Sequence, residues 1–399
     1  MRFAGIIAEY DPFHNGHAWQ LAQARALGAD HLAVAMSCGL TQRGALPLLP
    51  EAVRVRAALT CGADVVFALP APCACSGAEA FARAGVQILS AAGCDALVFG
   101  AETPDADLLM QAARVLCSAD YRTALKAQLA AGAKNFAAAR QAAVETLCPG
   151  TPLADLLDKP NNNLAVEYCK AILERNVPMT PVPLPRRGAN HGEALAPDAV
   201  QFASASALRK LWQTGGAEAV APFVPEAVLP LYREANAAGQ YTDFDAANRC
   251  ELALLRSRCV GKAPFANVRG VSEGLEHRLE QAVRSAATHE ELLDALTTVR
   301  YPRARMRRLA MDAALGYDAA LPVLPPYLHL LGTRREALSL LKGAALPVSH
   351  SLMRLKAENN ACTQMVNAQL AASDFCALNR KKPEPMGGLL RQKIIFLTD

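Results

Sequence analysis

The first half of the chain alternates short apolar runs with segments of helical periodicity. Helical patterns occupy residues 16–27, 51–61 and 78–91, and several further helices follow between residues 105 and 174. The apolar runs between them predict β-strands at residues 3–8, 31–36, 64–69 and 96–99, with a further extended stretch near 179–184. Strands that alternate with helices predict right-handed βαβ units, and hence an α/β fold with a Rossmann-like parallel sheet.

Beyond about residue 195 the pattern contains no further strand. It predicts helices at residues 204–213, 245–258, 274–287, 289–298, 303–315, 334–342 and 352–371. Two domains follow from this change of pattern: an α/β domain over residues 1–192 and a mainly α-helical domain over residues 193–399. The tail after about residue 345 ends in an apolar segment and has no assignment.

Composition describes a folded globular protein. The 399 residues are 52% hydrophobic and 20% charged, and no apolar stretch reaches the length of a membrane span. The chain enters its first strand at once, without the apolar core of a signal peptide. Its 12 cysteines include no CxxC pair, which is typical of buried thiols in a reducing compartment. We therefore expect a cytoplasmic protein with neither a membrane nor a DNA partner.

The segment that follows the first strand carries the main chemical signal. Asp11-Pro12 ends the strand, and a helix begins near Gly16, so His14 and His17 fall at the turn and in the first helical turn. The free N–H groups and the dipole of a helix N-terminus favour phosphate, and glycine admits a nucleotide close to the backbone. This position predicts that the two imidazoles contact the α-phosphate and the departing pyrophosphate of a nucleotide. A metal site and simple packing are the alternatives, although no further zinc ligand is evident nearby.

Other candidate residues also follow strands. Ligands of parallel sheets bind beyond the carboxyl ends of the strands. Ser37 and Arg43 follow the second strand and could line an acetate or phosphate pocket, although Arg43 could instead pair with a carboxylate. Gly100 ends the fourth strand, where an adenine or ribose would lie.

Charge is distributed unevenly along the chain. The net charge of +4 does not by itself require a nucleic-acid partner. However, Arg300, Arg303, Arg305, Arg307 and Arg308 fall within nine residues, a clustering that is typical of a phosphate-backbone contact. The alternative is a solvated helix face or pairing with carboxylates.

Several ordered motifs resemble those of one family. The turn with His14-Asn15-Gly16-His17 resembles the HxGH signature of the nucleotidyltransferase superfamily (HUP-type fold), which also contains class I aminoacyl-tRNA synthetases. The whole chain resembles the bacterial tRNA(Met) cytidine acetate ligases, with ordered matches from residue 5 to about residue 345. The matching segments are Gly5 to His17, Met36-Ser37, Gln42-Arg43-Gly44, residues 63–70, 78–82, 99–102, 159–162, 204–209 and 273–276, and Arg300-Tyr301 with Arg305 and Arg308.

The resemblance implies an ATP-dependent ligase. Such an enzyme activates acetate as acetyl-adenylate with the assistance of Mg²⁺. It then passes the acetyl group to N4 of the wobble cytidine of elongator tRNA(Met). On this reading His14 and His17 are catalytic, Ser37 and Arg43 line the acetate or phosphate pocket, and Arg300, Arg305 and Arg308 bind tRNA. The implied ATP-binding residues are Ile7, Ala8, Glu9, Tyr10, Asp11, Pro12, Phe13, His14, Asn15, Gly16, His17, Ala18, Trp19, Gln20, Gly100, Asn161, Asn162, Arg186 and Arg187.

Some positions depart from the family or have a structural alternative. Asp11 stands where the family more often has asparagine, and Ala68 stands where glutamate is common, so the Mg²⁺ ligands are not defined. Asn161 and Asn162 could instead cap the helix that begins near Leu164. Two other functions compete with the ligase: a small-molecule adenylyltransferase with the same HxGH chemistry, and a non-catalytic tRNA-binding protein. The basic helical half favours an RNA substrate over the first, and the intact histidines argue against the second.

Overall fold

One mixed β-sheet forms the centre of the molecule. The computed structural model describes residues 2–186 and 202–397, and within these ranges the strand order is β5-β4-β1-β2-β3-β6-β7, with β8 paired to β6. The first five strands are mutually parallel, and β6 joins β3 in antiparallel direction. The strands are β1 (Phe3–Ala8), β2 (His31–Ser37), β3 (Val65–Leu69), β4 (Ala96–Ala101), β5 (Thr180–Pro185), β6 (Leu328–Arg334), β7 (Val348–Ser349) and β8 (Ile395–Leu397).

Helices cover both faces of the sheet and build the second half of the chain. Two short 3₁₀ helices lie at Ala221–Phe223 and Arg335–Gly343. The α-helices are α1 (Asn15–Ala26), α2 (Glu51–Thr60), α3 (Ala71–Ala74), α4 (Ala78–Ala91), α5 (Ala106–Cys117), α6 (Ala119–Ala130), α7 (Phe136–Leu147), α8 (Leu153–Leu156), α9 (Pro160–Arg175), α10 (Ala205–Val220), α11 (Leu229–Ala237), α12 (Phe244–Arg258), α13 (Leu275–Ser285), α14 (His289–Leu296), α15 (Arg303–Leu315), α16 (Leu352–Lys356), α17 (Asn360–Leu378) and α18 (Gly388–Arg391).

The sheet reverses its strand order between β1 and β4. From β1 the chain runs outward through β2 and β3 on one side, whereas β4 and β5 lie on the other side. Such a reversal leaves a crevice at the carboxyl ends of the two central strands, because the connecting helices lie on opposite faces. The residues that follow β1 and β4 therefore meet at this edge, as the sequence predicts.

Alternating side chains of the strands feed an apolar core on each face. One core contains Phe67 and Phe99 with helices α4, α5 and α9, and the other contains Ile6 and Val34 with α1, α2 and α10. Helix α4 approaches β1 very closely at Gly85, where an added Cβ would lie 2.5 Å from Ile7 Cδ1. The helical segment α12–α15 has a separate core of its own.

The α/β fold class and the first five strands are confirmed, but the expectation of no strand after residue 195 is wrong. Strand β6 pairs with β3, and β8 pairs with β6, so residues 328–397 extend the sheet of the first half. A short apolar run such as Leu328–Arg334 has no periodicity that separates a buried strand from a buried helix. The segment after it is a 3₁₀ helix rather than the predicted α-helix at 334–342. The predicted domain boundary at residue 192 lies outside the described residues.

No helix within the described ranges is long and apolar enough to cross a membrane.

Candidate active site

A cleft of about 410 Å³ lies at the carboxyl ends of β1 and β4. It contains most of the positions that the sequence predicts for ATP: Ile7, Ala8, Glu9, Tyr10, Asp11, His14, Gly16, His17, Trp19, Gln20, Gly100, Asn161 and Arg186. Pro12, Phe13, Asn15, Ala18 and Asn162 belong to the same segments but do not line the cleft. Arg187 lies outside the described residues.

His14 and His17 form the start of α1. His14 is the N-cap, and its Nδ1 accepts a hydrogen bond from the Gly16 backbone N at 3.0 Å. His17 reaches back so that its Nδ1 accepts the His14 backbone N–H at 3.2 Å. The two rings stack with their centroids 3.8 Å apart and their planes inclined by 22°. Each imidazole is thus fixed by the helix terminus on which it stands.

These hydrogen bonds also define the protonation of both rings. Because each Nδ1 is an acceptor, the neutral imidazole must carry its proton on Nε2. Removal from water, and to a smaller extent the positive charge of Arg186, lower the pKa of His14 to about 4. Burial, then His14 and Arg186, hold the pKa of His17 well below its ordinary value. At neutral pH the pair therefore offers two Nε2–H donors without a positive charge.

Gly16 is required by the His14 ring. A Cβ at this position would lie 2.8 Å from His14 Cε1 and 3.0 Å from His14 Nδ1, closer than side chains normally approach. The glycine of the signature therefore leaves room for the first histidine, in addition to admitting a ligand.

Asn161 and Arg186, which line the cleft at the ends of β4 and β5, depend on Glu102 for their position. Its carboxylate, at the end of β4, accepts the backbone N–H of Asn161 at 3.2 Å and that of Asn162 at 2.6 Å. Burial raises the pKa of the Glu102 carboxyl, but the Asn161 side-chain amide and the two backbone N–H groups together hold it below its ordinary value. Glu102 thus caps α9, which begins at Pro160 and not near Leu164. The predicted alternative of an asparagine cap is replaced by a carboxylate cap.

The two asparagines have different surroundings. Asn161 Nδ2 donates to Glu102 Oε1 at 2.5 Å, and Asn161 Oδ1 accepts a hydrogen bond from the Arg186 guanidinium. Asn162 is fully buried and pairs with Thr103 through both ends of its amide. Asn161 therefore faces the cleft and Asn162 holds the loop after β4.

Acidic groups lie at the end of β1. Glu9 accepts the Gln42 backbone N–H at 2.6 Å, and burial raises the pKa of its carboxyl group. Asp11 is 2% exposed and uses both oxygens, one for the Leu48 backbone N–H at 2.6 Å and one for Arg209 at 3.0 Å. Arg209, on α10, also donates to the Asp11 carbonyl at 2.8 Å. Helix α10 is thereby fixed to the turn that carries the histidines.

The two residues predicted for an acetate or phosphate pocket are separated. Arg43 is exposed and lines the cleft. Ser37 is 1% exposed and does not line it; its carbonyl instead accepts Arg54 Nη1 at 2.8 Å. Arg54 also donates to the Glu9 carbonyl at 2.8 Å, and so joins the ends of β1 and β2.

The basic stretch lies at the start of α15, and its predicted members have protein partners. Arg300 pairs with Glu273 at 2.7 Å, and Arg305 stacks over the Tyr301 ring with its guanidinium 5.0 Å from the centroid. Arg308 donates to the Gln42 carbonyl at 3.3 Å. Arg307, a member of the basic cluster that is not one of the predicted tRNA contacts, lines the cleft.

Metal-binding clusters do not occur in the part of the chain that the structure describes. No group of three or more His, Cys, Asp or Glu side chains is placed to hold an ion there. In the cleft both Asp11 oxygens are already engaged, and one oxygen of Glu9 is engaged by Gln42. This donor set does not form a protein cage for a cation.

Comparisons with known proteins agree with this geometry. A family model described as HIGH Nucleotidyl Transferase matches residues 1–388. The tRNA(Met) cytidine acetate ligase of Syntrophotalea carbinolica is 34% identical over 368 residues, which cover 89% of this chain and 86% of the relative. The protein of the same name from Listeria monocytogenes serotype 4b is 34% identical over 357 residues, covering 87% and 89%.

Solved structures match over the full length of the chain. The crystal structure of Thermotoga maritima TmcAL bound with alpha-thio ATP has a TM-score of 0.88 at 25% identity, and the apo structure has a TM-score of 0.90 at 27% identity. Each comparison covers 100% of both chains. Fold and cleft together define a nucleotidyltransferase of the HIGH type. Within that class, the chain belongs to the tRNA(Met) cytidine acetate ligase family.

Proposed function

We propose that this chain is an ATP-dependent ligase that acetylates N4 of the wobble cytidine of elongator tRNA(Met). Acetate would first be activated as acetyl-adenylate, and the acetyl group would then pass to the RNA. The observation that carries the proposal is the pair of neutral imidazoles at the N-terminus of α1, at the switch point of the sheet. The relatives named tRNA(Met) cytidine acetate ligase support the acyl donor and the acceptor.

In the first step an acetate oxygen attacks the α-phosphorus of ATP. The new P–O bond forms as the bond to the β-phosphate oxygen breaks, and pyrophosphate leaves. Negative charge grows on the leaving group, so preorganised donors that are worth more in the transition state accelerate the step. His14 and His17 would supply two Nε2–H donors, the α1 terminus its dipole, and Arg186 a guanidinium held by Asn161.

In the second step the cytidine N4 amine attacks the acetyl carbonyl carbon. A C–N bond forms, the C–O bond of the mixed anhydride breaks, AMP leaves, and one amine proton is lost to water. The nucleotide must stand outside its stack to reach the cleft, as it does for other enzymes that modify a base. An anticodon loop offers such a base at little cost.

ATP would contact three parts of the cleft: the loop between β1 and α1, the end of β4, and the pair Asn161 and Arg186. The loop between β1 and α1 would face the phosphates, and Gly100 would lie against the base or ribose. A Cβ at Gly100 would meet one side-chain atom, Arg186 Cγ, at an ordinary 3.5 Å, so the glycine leaves open space in the cleft itself. Asn161 and Arg186 would close the remaining wall; Asn162 supports this wall from behind.

Mg²⁺ is expected to arrive with ATP. Mg²⁺ is commonly held by one or two carboxylates together with substrate phosphates, and not by a cage of protein ligands. Glu9, with one oxygen engaged by Gln42, is the carboxylate of the cleft that fits this role. The ion would supply charge neutralisation at the phosphates.

RNA contacts are proposed for the basic start of α15. Arg300 and Arg305 flank the Tyr301 ring, with guanidinium-to-centroid distances of 5.8 and 5.0 Å, and Arg300 is exposed. Arg308 would act closer to the cleft through the loop that it binds. Charge removal at Arg305 and Arg308 should weaken tRNA binding and flatten its salt dependence, because phosphate contacts release counterions.

The decisive experiment follows labelled acetate. Incubation of the protein with ATP, Mg²⁺, labelled acetate and tRNA should place label on cytidine and release AMP and pyrophosphate, without acetyl-coenzyme A. Label that enters RNA only with acetyl-coenzyme A would contradict the proposal. AMP joined covalently to a phosphorylated small molecule would establish the alternative adenylyltransferase.

A further inference from the structure

Helix α15 is fixed directly to the nucleotide cleft. Gly44, with φ of 74°, lies so close to the helix that a Cβ there would be 2.8 Å from the Arg308 backbone N and 3.0 Å from the Arg307 carbonyl carbon. Arg308 donates to the Gln42 carbonyl, and Gln42 in turn donates its N–H to Glu9. The loop 41–45 therefore connects the end of β1 to the basic helix without a gap.

The C-terminal part of α15 is also attached, through Arg269, to the segment that follows β3. Asp312 and Arg269 form a bidentate pair with N–O distances of 2.8 and 2.9 Å, and Arg269 donates further to the Cys75 carbonyl at 2.9 Å. Held in its middle and near its C-terminal end, the helix has a defined position relative to the cleft. The Cα of any side chain on the cleft-facing side of α15 therefore has a fixed position relative to the cleft.

Arg307 is that side chain, and it differs from its basic neighbours. Arg303 pairs with Glu290 and Asp294, Arg305 donates to Ser272, and Arg308 donates to Gln42. Arg307 lines the cleft and forms no hydrogen bond or ion pair with the residues that the structure describes. A guanidinium that is half removed from water is stabilised by an anion that enters the cleft and accepts its hydrogen bonds.

Arg307 reaches the cleft from α15, beside the loop 41–45, whereas His14 and His17 stand at the start of α1. Arg186 is the cation whose charge acts on His14 and His17. The charges that act on Arg307 are the positive ones of Arg303 and Arg43 and the negative ones of Glu251 and Glu290. Because the proposed first step places the ATP phosphates at the α1 terminus, Arg307 is available to the anion of another reactant.

We propose that Arg307 binds the RNA phosphate beside the acceptor cytidine and positions this nucleotide for the transfer step. The inference rests on the proposed function, since it assigns Arg307 to the second half-reaction. A planar guanidinium contacts a phosphate through two parallel N–H donors, which fixes the orientation of the nucleotide as well as its affinity. Arg307 is thus a positioning residue, distinct from the surface contacts of Arg300 and Arg305.

Two half-reactions test this assignment. Arg307→Ala and Arg307→Lys are compared with the wild-type chain in acetate-dependent ATP–pyrophosphate exchange and in single-turnover acetylation of tRNA. We expect exchange within about twofold of wild type, because the first step needs no RNA. Acetylation should fall at least about tenfold in Arg307→Ala and partly recover in Arg307→Lys, with a tRNA-binding salt slope reduced by about one.

The matched control is Arg303→Ala. Arg303 lies one helical turn away on the same helix and is held by Glu290 and Asp294, so its loss removes the same charge without reaching the cleft. It should retain most acetylation. Equal loss of exchange and acetylation in Arg307→Ala would mean that the residue acts on ATP or acetate, and wild-type rates in both reactions would remove it from the site; either result overturns the proposal. Failure of the proposed function itself would appear separately, as no acetate-dependent exchange by the wild-type chain.

Discussion

Glu102 Oε1 accepts two hydrogen bonds from Asn161, one from the backbone N at 3.2 Å and one from the side-chain Nδ2 at 2.5 Å. The second fixes the amide so that its oxygen faces the Arg186 guanidinium. The end of β4, the start of α9 and the end of β5 are thereby joined in one polar chain. A carboxylate that does not line the cleft itself thus holds an arginine that does.

Replacement of Glu102 by glutamine should weaken ATP binding. The amide nitrogen of the new side chain would face N–H groups, so at least one hydrogen bond to Asn161 or Asn162 is lost, which weakens the polar chain that holds Arg186. Hydrogen bonds to charged groups are worth roughly 1.5–3 kcal/mol, and we expect the Kd for ATP to rise about tenfold. Calorimetric titration with ATP measures this. Glu145→Gln is the control, because Glu145 is an exposed carboxylate that accepts a single N–H from Gly150; equal Kd values in the two variants would contradict the role.

Gly16→Ala should remove adenylation while the protein stays folded. The new Cβ would lie 2.8 Å from His14 Cε1, so the imidazole must leave its place over the α1 terminus. Loss of one preorganised donor costs about 10²-fold, and acetate-dependent pyrophosphate exchange should fall by at least that factor. Gly77→Ala is the control, since a Cβ at Gly77 meets nothing within 4 Å. Exchange near the wild-type rate in Gly16→Ala would show that the position of His14 is not critical.

Particular residues show where sequence reasoning succeeds. Phe3–Ala8 is predicted and observed with the same bounds, because a continuous apolar run that ends at Asp11-Pro12 is typical of a buried parallel strand. His14 and His17 are adjacent in sequence to the strand that positions them, so local signals suffice to bring them to the cleft. Arg303–Leu315 is likewise predicted and observed with the same bounds.

Other features depend on contacts between distant segments. Strand β8 is three residues long and is defined by its pairing with Gly332–Arg334, about sixty residues earlier in the chain. Both segments are short apolar runs, and neither has a periodicity that identifies it as a strand. Arg307 and Arg308 are neighbours in one basic run, and only the packing of α15 on Gly44 separates the cleft-facing residue from the one that holds the loop. Glu102 belongs to a motif that the sequence shows, at residues 99–102. That its carboxylate caps α9 is shown only by the tertiary structure.

The two histidines should remain neutral well below the ordinary imidazole range. Burial lowers the pKa of His14 to about 4, against an ordinary value of 6.5. The folded chain therefore takes up these protons at lower pH than the unfolded chain. The neutral imidazoles therefore make their full contribution to the free energy of unfolding above about pH 6.5. This contribution is lost as the pH falls toward 4, because the unfolded chain takes up the protons first.

His14→Asn isolates this effect, because asparagine is a good N-cap and does not titrate. We expect the free energy of unfolding to fall less between pH 7 and pH 5 in the variant than in the wild type. Asp312, whose pKa burial raises to about 7, is unchanged in both and cancels in the comparison. Denaturant unfolding at each pH gives the difference. A His14 ring that titrates near 6.5 by NMR would contradict the prediction.

Asp11 and Arg209 should be strongly coupled. Asp11 is buried and Arg209 supplies its positive partner at 3.0 Å, so Arg209→Ala leaves a carboxylate out of water with one remaining donor, the Leu48 N–H. Breaking a buried pair costs roughly 3–5 kcal/mol, and since the Arg209 side chain is 27% exposed we expect about 2 kcal/mol. Asp11→Asn removes the charge but keeps an oxygen for Leu48. In that background Arg209→Ala should cost at least about 1 kcal/mol less, because no unpaired carboxylate remains. Equilibrium unfolding of the four proteins measures the coupling energy.

Arg233→Ala, which breaks the exposed pair with Glu218, is the control and should cost under about 1 kcal/mol. Additive costs in the cycle would mean that α10 is held to the histidine turn by its apolar contacts and not by this ion pair.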